Sequence, residues 1–329
     1  MTKTAFVTGA TGFVGLNLVA ELHAQGWDIV ALHRATSDVA PLARYPRLRR
    51  VFGDVTDLRT LRGVIPREVD CVFHVAGNTS MWNRTHVEQI KVNVRGTRNV
   101  VRAALEARVK RFVHTSSIVA YGIHGGTITE DTPTRGSAAT INYVRSKALA
   151  EREVRKGITA GLPAVIMNPS NIVGPYDTST WSRMFRLVQQ RRLPAMPPGG
   201  GSFCHVHEVA RAHVAAAERG RIGANYLLGG AQASYVGLVR EIARLLGVRR
   251  RPQTLPTRVL LAYAAVEEWA APLFGREPDI TRDAVALLAE NLYCSSQRAQ
   301  DELGYSPQTL ECMLTDCRDW LYEAGLLQR

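Results

Sequence analysis

The chain has 329 residues, 46% of them hydrophobic, and a formal net charge of +12. That is enough apolar material for one large domain, or one domain with a smaller lobe, and it excludes a disordered or low-complexity chain. The positive excess is scattered arginine, dense only at Arg47 to Arg50, Arg191 with Arg192, and Arg249 to Arg251, without interleaved aromatic residues, so nucleic acid is not expected as a partner.

Ala5 to Val7 reads as a buried first strand. It runs into Thr8-Gly-Ala-Thr-Gly-Phe-Val-Gly15, after which Leu16, Val19, Ala20 and Leu22 recur at helical period. The glycines therefore occupy a strand-to-helix turn: Gly9 allows a tight reversal, Gly12 lets a diphosphate approach bare backbone, and Gly15 lets helix pack on strand, with the helix N-terminus supplying N–H donors. Gly9, Thr11, Gly12, Phe13, Val14 and Gly15 are the candidate diphosphate contacts, and a purely structural turn is the alternative. The spacing is Gly-x-x-Gly-x-x-Gly rather than Gly-x-Gly-x-x-Gly.

Asp28 to Leu32 reads as a second strand ending at His33-Arg34. An acidic residue there would bind adenosine ribose hydroxyls; Arg34, with Thr36 and Ser37 beside it, suits a 2′-phosphate and favours NADP(H) over NAD(H), unless Arg34 is simply solvated. Leu48 to Phe52 gives a third strand, followed by Gly53-Asp54-Val55 and a helix-capping Asp57, and Asp70 to Val75 a fourth that ends in Ala76-Gly77. Such unalternating apolar runs between helical patterns mark an α/β fold with a parallel sheet covered on both faces. One long helix is predicted over 84–108, carrying Val92-Asn93-Val94. Phe112 to Thr115 then delivers Ser116 and Ser117 at the sheet edge where ligands bind, and 121–140 reads as a loop able to fold over a substrate.

A helix over 142–156 places Tyr143 and Lys147 on one face, and a sixth strand, 163–167, ends in Asn168-Pro169. Beyond Gly174-Pro175 the alternation lapses into helices at about 181–190, 208–219, 235–246, 258–274, 283–290 and 310–324, with Pro/Gly loops such as 194–201. The expected division is 1–175 for the cofactor and catalytic residues and 176–329 for a smaller, discontinuous substrate-binding lobe, some of whose segments return to the first core.

A tyrosine near pKa ~10 is a poor acid-base group at neutral pH, but an ammonium alongside favours the phenolate, and a serine hydroxyl can hold the oxygen being protonated. With the glycine turn, the sheet-end serine and the Tyr-x-x-x-Lys pair in this order, the chain resembles the extended short-chain dehydrogenases/reductases over essentially its whole length. It is most similar to the group of dihydroflavonol 4-reductase, cinnamoyl-CoA reductase and the 3β-hydroxysteroid dehydrogenases. Further residues carrying the likeness are His74-Val-Ala-Gly77, Thr115-Ser-Ser117 with Tyr121-Gly122, Asn168-Pro169 through Gly174-Pro175, Gly275-Arg-Glu-Pro278 and Leu303-Gly-Tyr305.

The resemblance implies a Rossmann doubly wound parallel sheet and an NADPH-dependent reduction of a ketone or aldehyde, or its reverse. Tyr143 would be the general acid/base, Lys147 would bind nicotinamide ribose and tune Tyr143, and Ser117 would orient substrate, with Ser116 as its rival. Asp54 and Val55 would meet adenine, Ala76 and Gly77 the cofactor, and Pro169 the nicotinamide end, while Asn93 would order the catalytic segment. Relatives often show His-Val-Asp-Asp where this chain has His205-Val-His-Glu208; a helix-start role for His207 is expected there and no metal.

Two rivals stay open: a nucleotide-sugar epimerase of the same superfamily, and a non-catalytic NADP-binding sensor. Segments 79–82, 123–127 and 171–184, apolar and aromatic-containing, are the pocket candidates, favouring a hydrophobic or aryl carbonyl. The helix at 258–274 is expected to close that pocket, with contact to a membrane surface as the lesser alternative, and a homodimer is compatible with the pattern. Five cysteines without a Cys-x-x-Cys pair fit a reducing, cytoplasmic setting; no apolar run approaches the ~20 residues of a membrane span, and no secretory leader is expected.

Overall fold

The computed structural model describes residues 2–192, 195–249 and 252–328. Arg250 and Arg251 of the last basic cluster, and Pro194 at the start of the expected 194–201 loop, lie outside the described residues. The first half of the chain alternates strand and helix: β1 (Thr4–Thr8), α1 (Phe13–Ala24), β2 (Asp28–His33), β3 (Leu48–Phe52), α2 (Leu58–Leu61) and β4 (Cys71–His74). There follow α3 (His86–Ile90), α4 (Thr97–Ala107), β5 (Phe112–Thr115), α5 (Asn142–Thr159) and β6 (Ala164–Pro169). The second half holds β7 (Asn171–Val173), α6 (Ser182–Gln189), β8 (Gly200–His205), α7 (Val206–Arg219), β9 (Asn225–Leu228), β10 (Gln232–Ser234) and α8 (Tyr235–Leu245). It ends with α9 (Thr257–Ala270), α10 (Arg282–Leu288), β11 (Asn291–Leu292), α11 (Gln297–Leu303) and α12 (Leu310–Glu323).

The short apolar runs, buried on both faces except in the edge strand β3, line up as one seven-stranded parallel sheet, ordered β3-β2-β1-β4-β5-β6-β9. Phe6 sits opposite Val30 on one side and Val72 on the other, so β1 is central and the strand order reverses between β1 and β4. At that reversal the crossover helices leave to opposite faces, opening a crevice at the carboxyl ends of the strands. On one face α1 and α7 bury Leu18, Leu22, Val209 and Ala216 against the sheet, joined by Ala299 and Leu303 of α11. On the other, Leu61, Val100, Ala104 and Val154 of α2, α4 and α5 form the second layer.

Three differences from the sequence-based expectation have physical causes. The single helix over 84–108 is α3 and α4 joined by a π-helical segment, Lys91–Gly96, where the Thr97 hydroxyl donates to the Asn93 carbonyl at 2.6 Å and enters the backbone ladder. Gly200 and Gly201, expected in a loop, open β8. A Cβ on Gly200 would come within 2.8 Å of the Ala233 carbonyl oxygen, and one on Gly201 within 2.6 Å of Asn171 Nδ2, so these glycines answer to close strand packing rather than to a turn. β8 centres a small second sheet with β7, β10 and β11. The 121–140 stretch is also less free than a loop: Tyr121 and Ile128 are buried, and Ile128 bridges to Cys294.

Candidate active site

The glycine turn lies at the carboxyl end of β1. Gly9 has φ +71°, and a Cβ there would come within 2.6 Å of the Ala76 nitrogen, so the β1 and β4 ends touch through bare backbone. A Cβ on Gly15 would press into Gly9, 2.8 Å from its carbonyl carbon. Gly12 differs: its Cβ would meet only the Gly9 carbonyl oxygen at 3.4 Å, and the residue is exposed. Gly12 is also the N-cap of α1, with no side-chain cap and no acid in the first turn. The N–H groups of Phe13, Val14 and Gly15 therefore have no intrahelical partner, and the half-buried Thr11 flanks them, a cradle that fits a diphosphate.

Arg34 follows β2 and is exposed; its backbone exchanges hydrogen bonds with Ser37, at 3.1 Å each way, and its guanidinium makes no ion pair with a described residue. Asp54, after β3, is half-buried, and its carboxylate accepts from Thr56 N at 2.8 Å. Val55 is buried; its carbonyl accepts from Asn99 Nδ2 at 2.9 Å, and its side chain fills the space a Cβ on Gly96 would need. Asp57 caps α2 as expected, accepting from Arg59 N.

At the β5 and β6 ends, α5 brings its first two turns against the sheet. Burial raises the pKa of the Tyr143 phenol, and the neighbouring Ser117 hydroxyl opposes that rise. Ser116, one residue earlier, faces the buried Glu151 carboxyl instead, so adjacent strand-end residues diverge. Lys147 is 7% exposed and donates to the Thr115 carbonyl at 2.9 Å; burial brings its pKa down to about 8, opposed by the charge of Glu151. Gly77 lies alongside: a Cβ there would be 3.8 Å from Lys147 Nζ and 3.5 Å from Asn93 Oδ1. Tyr143, like Met81, Ala139 and Ala286, packs against a buried apolar cluster containing Ile118, Ile141 and Leu287. Pro169 closes β6 beside Leu228 and is buried. Trp181, in the third pocket candidate, is not at this site; it stacks on Tyr235 in the core of the second half.

Asn93 is buried in the π-helical segment. Its amide exchanges hydrogen bonds with the Asn78 backbone, at 2.7 Å to N and 2.9 Å to O, and donates to Ser146 Oγ, which donates to the Tyr143 carbonyl at 2.8 Å. A buried chain joins this point to the glycine turn. Because Thr97 Oγ1 donates to the Asn93 carbonyl, it accepts from His74 Nε2; His74 Nδ1 then accepts from Thr8 Oγ1, which accepts from Ala76 N. Burial drives the His74 pKa down to about 3, so one neutral tautomer serves throughout.

Behind this face, Glu151 and Asn225 belong to no motif of the sequence. Glu151, Asn168 and Asn225 form a buried network in which Asn168 Nδ2 donates to Glu151 and to the Ser117 carbonyl. His213 Nδ1 donates to the Val209 carbonyl, which leaves Nε2 to accept from Thr115 Oγ1. The available signal was a polar residue inside an apolar strand, as in Cys71-Val-Phe-His74 and Phe112-Val-His114.

At the start of α7 the capping side chain is His205 rather than His207: its Nδ1 accepts from His207 N at 3.1 Å and its Nε2 lies 3.1 Å from Asp316. With His207 and Asp316 it brings three candidate metal-ligand atoms within 4.8 Å. In this geometry, however, the Nε2 proton points at Asp316 and both ring nitrogens of His205 are engaged.

Residues 5–229 match the model of the NAD dependent epimerase/dehydratase family. A protein of Synechocystis sp. described as a putative dihydroflavonol 4-reductase is 32% identical, over 100% of this chain and 97% of its own length. The sterol demethylase protein B of Methylococcus capsulatus is 31% identical over 98% of this chain and all of its own. The crystal structure of gox2253 superposes with a TM-score of 0.84 at 35% identity, covering 99% of this chain and 100% of that one. The chain belongs to the NAD dependent epimerase/dehydratase family of the extended short-chain dehydrogenases/reductases, a family of NAD(P)-dependent enzymes.

Proposed function

We propose that the protein reduces a ketone or aldehyde to an alcohol with NADPH, or runs the reverse, on a hydrophobic or aryl substrate. The observation that carries this reading is the placing of Tyr143 beside Ser117 at the carboxyl edge of the sheet, with Lys147 one turn further along α5 and bonded to the Thr115 carbonyl. NADPH, when bound, supplies the hydride. Gly9, Thr11, Gly12, Phe13, Val14 and Gly15 would hold its diphosphate, Arg34 its 2′-phosphate, Asp54 and Val55 its adenine, Ala76 and Gly77 its backbone and Pro169 its nicotinamide end, while Asn93, bonded to Asn78 and Ser146, would order the catalytic segment. Lys147 would hold the ribose hydroxyls and place a positive charge near the phenol.

Burial keeps Tyr143 protonated at neutral pH, which suits a group that gives its proton to the carbonyl oxygen. Ser117 donates to the same oxygen and fixes its position. The apolar cluster on which Tyr143 packs supports an apolar substrate over a sugar nucleotide. The test is NADPH oxidation against a panel of aryl and alicyclic carbonyls. Tyr143→Phe is expected to lose about 10²- to 10⁴-fold in kcat while binding NADPH within a few-fold of wild type. A Tyr143→Phe enzyme at full speed would remove the phenol from the mechanism, and NADPH binding without turnover of any carbonyl would leave a sensor.

A further inference from the structure

We propose that Glu151 is a positioning residue for the reaction: its buried carboxylate is the counter-charge that holds Lys147 as an ammonium, and through Asn168 it anchors the strand end that carries Ser117. Tyr143, Lys147 and Glu151 follow one another at four-residue steps along α5 and so share one face, and Glu151 is 4% exposed where Lys147 is 7%. A charge buried that deeply is carried only with a partner of opposite sign. Besides the Tyr143 phenol, the titratable groups facing Lys147 are His74 of β4 and His114 of β5, both neutral at pH 7 because burial lowers their pKa. That leaves Glu151 as the counter-charge among the described residues, and its charge raises the Lys147 pKa against the effect of burial.

The hydrogen bonds meet this carboxyl as a carboxylate. The Ser117 carbonyl can only accept, which fixes Asn168 with Nδ2 toward it at 3.1 Å, and the same Nδ2 donates to Glu151 Oε1 at 2.5 Å. At the other end the Arg155 guanidinium can only donate, which fixes Asn225 with Oδ1 toward it; Asn225 Nδ2 then donates to Asn168 Oδ1 at 2.8 Å and to Glu151 Oε2 at 3.3 Å. Neither amide can flip without breaking an end contact, so both present N–H to the carboxyl oxygens. These donors, with Ser116 and the charge of Arg155, oppose the rise that burial imposes on the Glu151 pKa. The Tyr121 phenol, pushed up by burial and by the charges of Glu151 and Glu130, stays protonated beside it. Lys147 takes the Thr115 carbonyl and Asn168 the Ser117 carbonyl, so the β5 end is held on both sides of Ser116.

The experiment takes Glu151→Gln and Glu151→Asp through two readouts. The first, which rests on the reductase reading, is the pH profile of kcat/KM for carbonyl reduction by NADPH. Without the carboxylate the Lys147 ammonium gives up its proton about one pH unit earlier, so the alkaline fall should move from about pH 8 to about pH 7 in Glu151→Gln, a loss of about fivefold at pH 8 that shrinks toward pH 6. Glu151→Asp keeps the charge and should keep the wild-type limb, and it carries the test if the glutamine variant does not fold. The second readout needs no turnover: urea stability against pH, with and without Lys147→Met, in wild type and in each variant. The pH at which the lysine begins to cost less stability should drop by the same unit in Glu151→Gln and stay in place in Glu151→Asp. A loss uniform across pH with the limb unmoved would make Glu151 purely structural and overturn the proposal, as would an unmoved stability onset in Glu151→Gln or an aspartate that shifts it equally. A protein that turns over no carbonyl yet shows the shifted onset would fail the reductase reading and keep the pairing of Glu151 with Lys147.

Discussion

Lys147→Met separates what this lysine does for catalysis from what it costs the fold. Lys147 is 7% exposed, and burial lowers its pKa from 10.5 to about 8. At pH 7 it is protonated folded and unfolded, so the whole penalty of burying the charge is present: roughly 2.5 units at 1.36 kcal/mol each, on the order of 3 kcal/mol. Between pH 8 and 10.5 the unfolded chain holds a proton that the folded one has released, so raising the pH stabilises the wild type and the penalty fades. Methionine fills a similar volume without charge, but leaves the Thr115 carbonyl without its 2.9 Å donor, a loss of about 1 kcal/mol. Lys147→Met should therefore be about 2 kcal/mol more stable than wild type at pH 7 and about equal at pH 10, while reducing carbonyls poorly. Urea unfolding of both proteins at the two pH values reads this directly, since titrating groups not coupled to Lys147 cancel in the difference and the histidines coupled to it, His74 and His114, are already neutral in the fold at pH 7. A stability difference that does not change with pH, or a variant less stable at pH 7, would refute the burial argument.

The glycine turn should answer to alanine in two ways. Gly15→Ala forces a Cβ into Gly9 and should cost about 1–3 kcal/mol, seen as a lower thermal midpoint, whereas Gly12→Ala should melt close to wild type yet bind NADPH at least about tenfold more weakly in titration calorimetry. Equal NADPH affinity in Gly12→Ala would move the diphosphate elsewhere. Arg34→Ser removes a charged donor worth about 1.5–3 kcal/mol and should weaken NADPH by about ten- to a hundredfold with NADH little changed; parallel losses for both cofactors would show that Arg34 does not read the 2′-phosphate. The kcat/KM for reduction should fall above about pH 8 as the Lys147 ammonium deprotonates, and a profile flat to pH 10 would dissociate that charge from catalysis.

What was legible in the sequence was what local chemistry dictates. The β1–glycine–α1 turn, the apolar strands and the Tyr143/Lys147 face each depend on residues within a few positions of one another, and the structure reproduces them. The pairing of Tyr143 with Ser117 rather than Ser116 needed the orientation of the β5 end, which no spacing carries. β8 was hidden because close packing of Gly200 and Gly201 uses the residue type that also marks turns. β9 and α11 were missed because they are short and owe their form to a sheet edge and a neighbouring helix far away in sequence. The neutral chain through His74 was beyond reach altogether, since the tautomer is set by three hydroxyl or amide partners that meet only after folding.

The last strand of the parallel sheet arrives 56 residues after the preceding one ends, since β6 stops at Pro169 and β9 begins at Asn225. Until that strand has left the ribosome, nascent β6 presents an unpaired backbone edge, and the face of α1 that later receives α7 stays wet. Synthesis therefore passes through an interval in which the nucleotide half is spelled out but not closed. A polypeptide terminated at residue 175 should aggregate through that edge instead of persisting as a free-standing cofactor module, and grafting a different distal half would have to resupply β9 and α7 along with any new specificity.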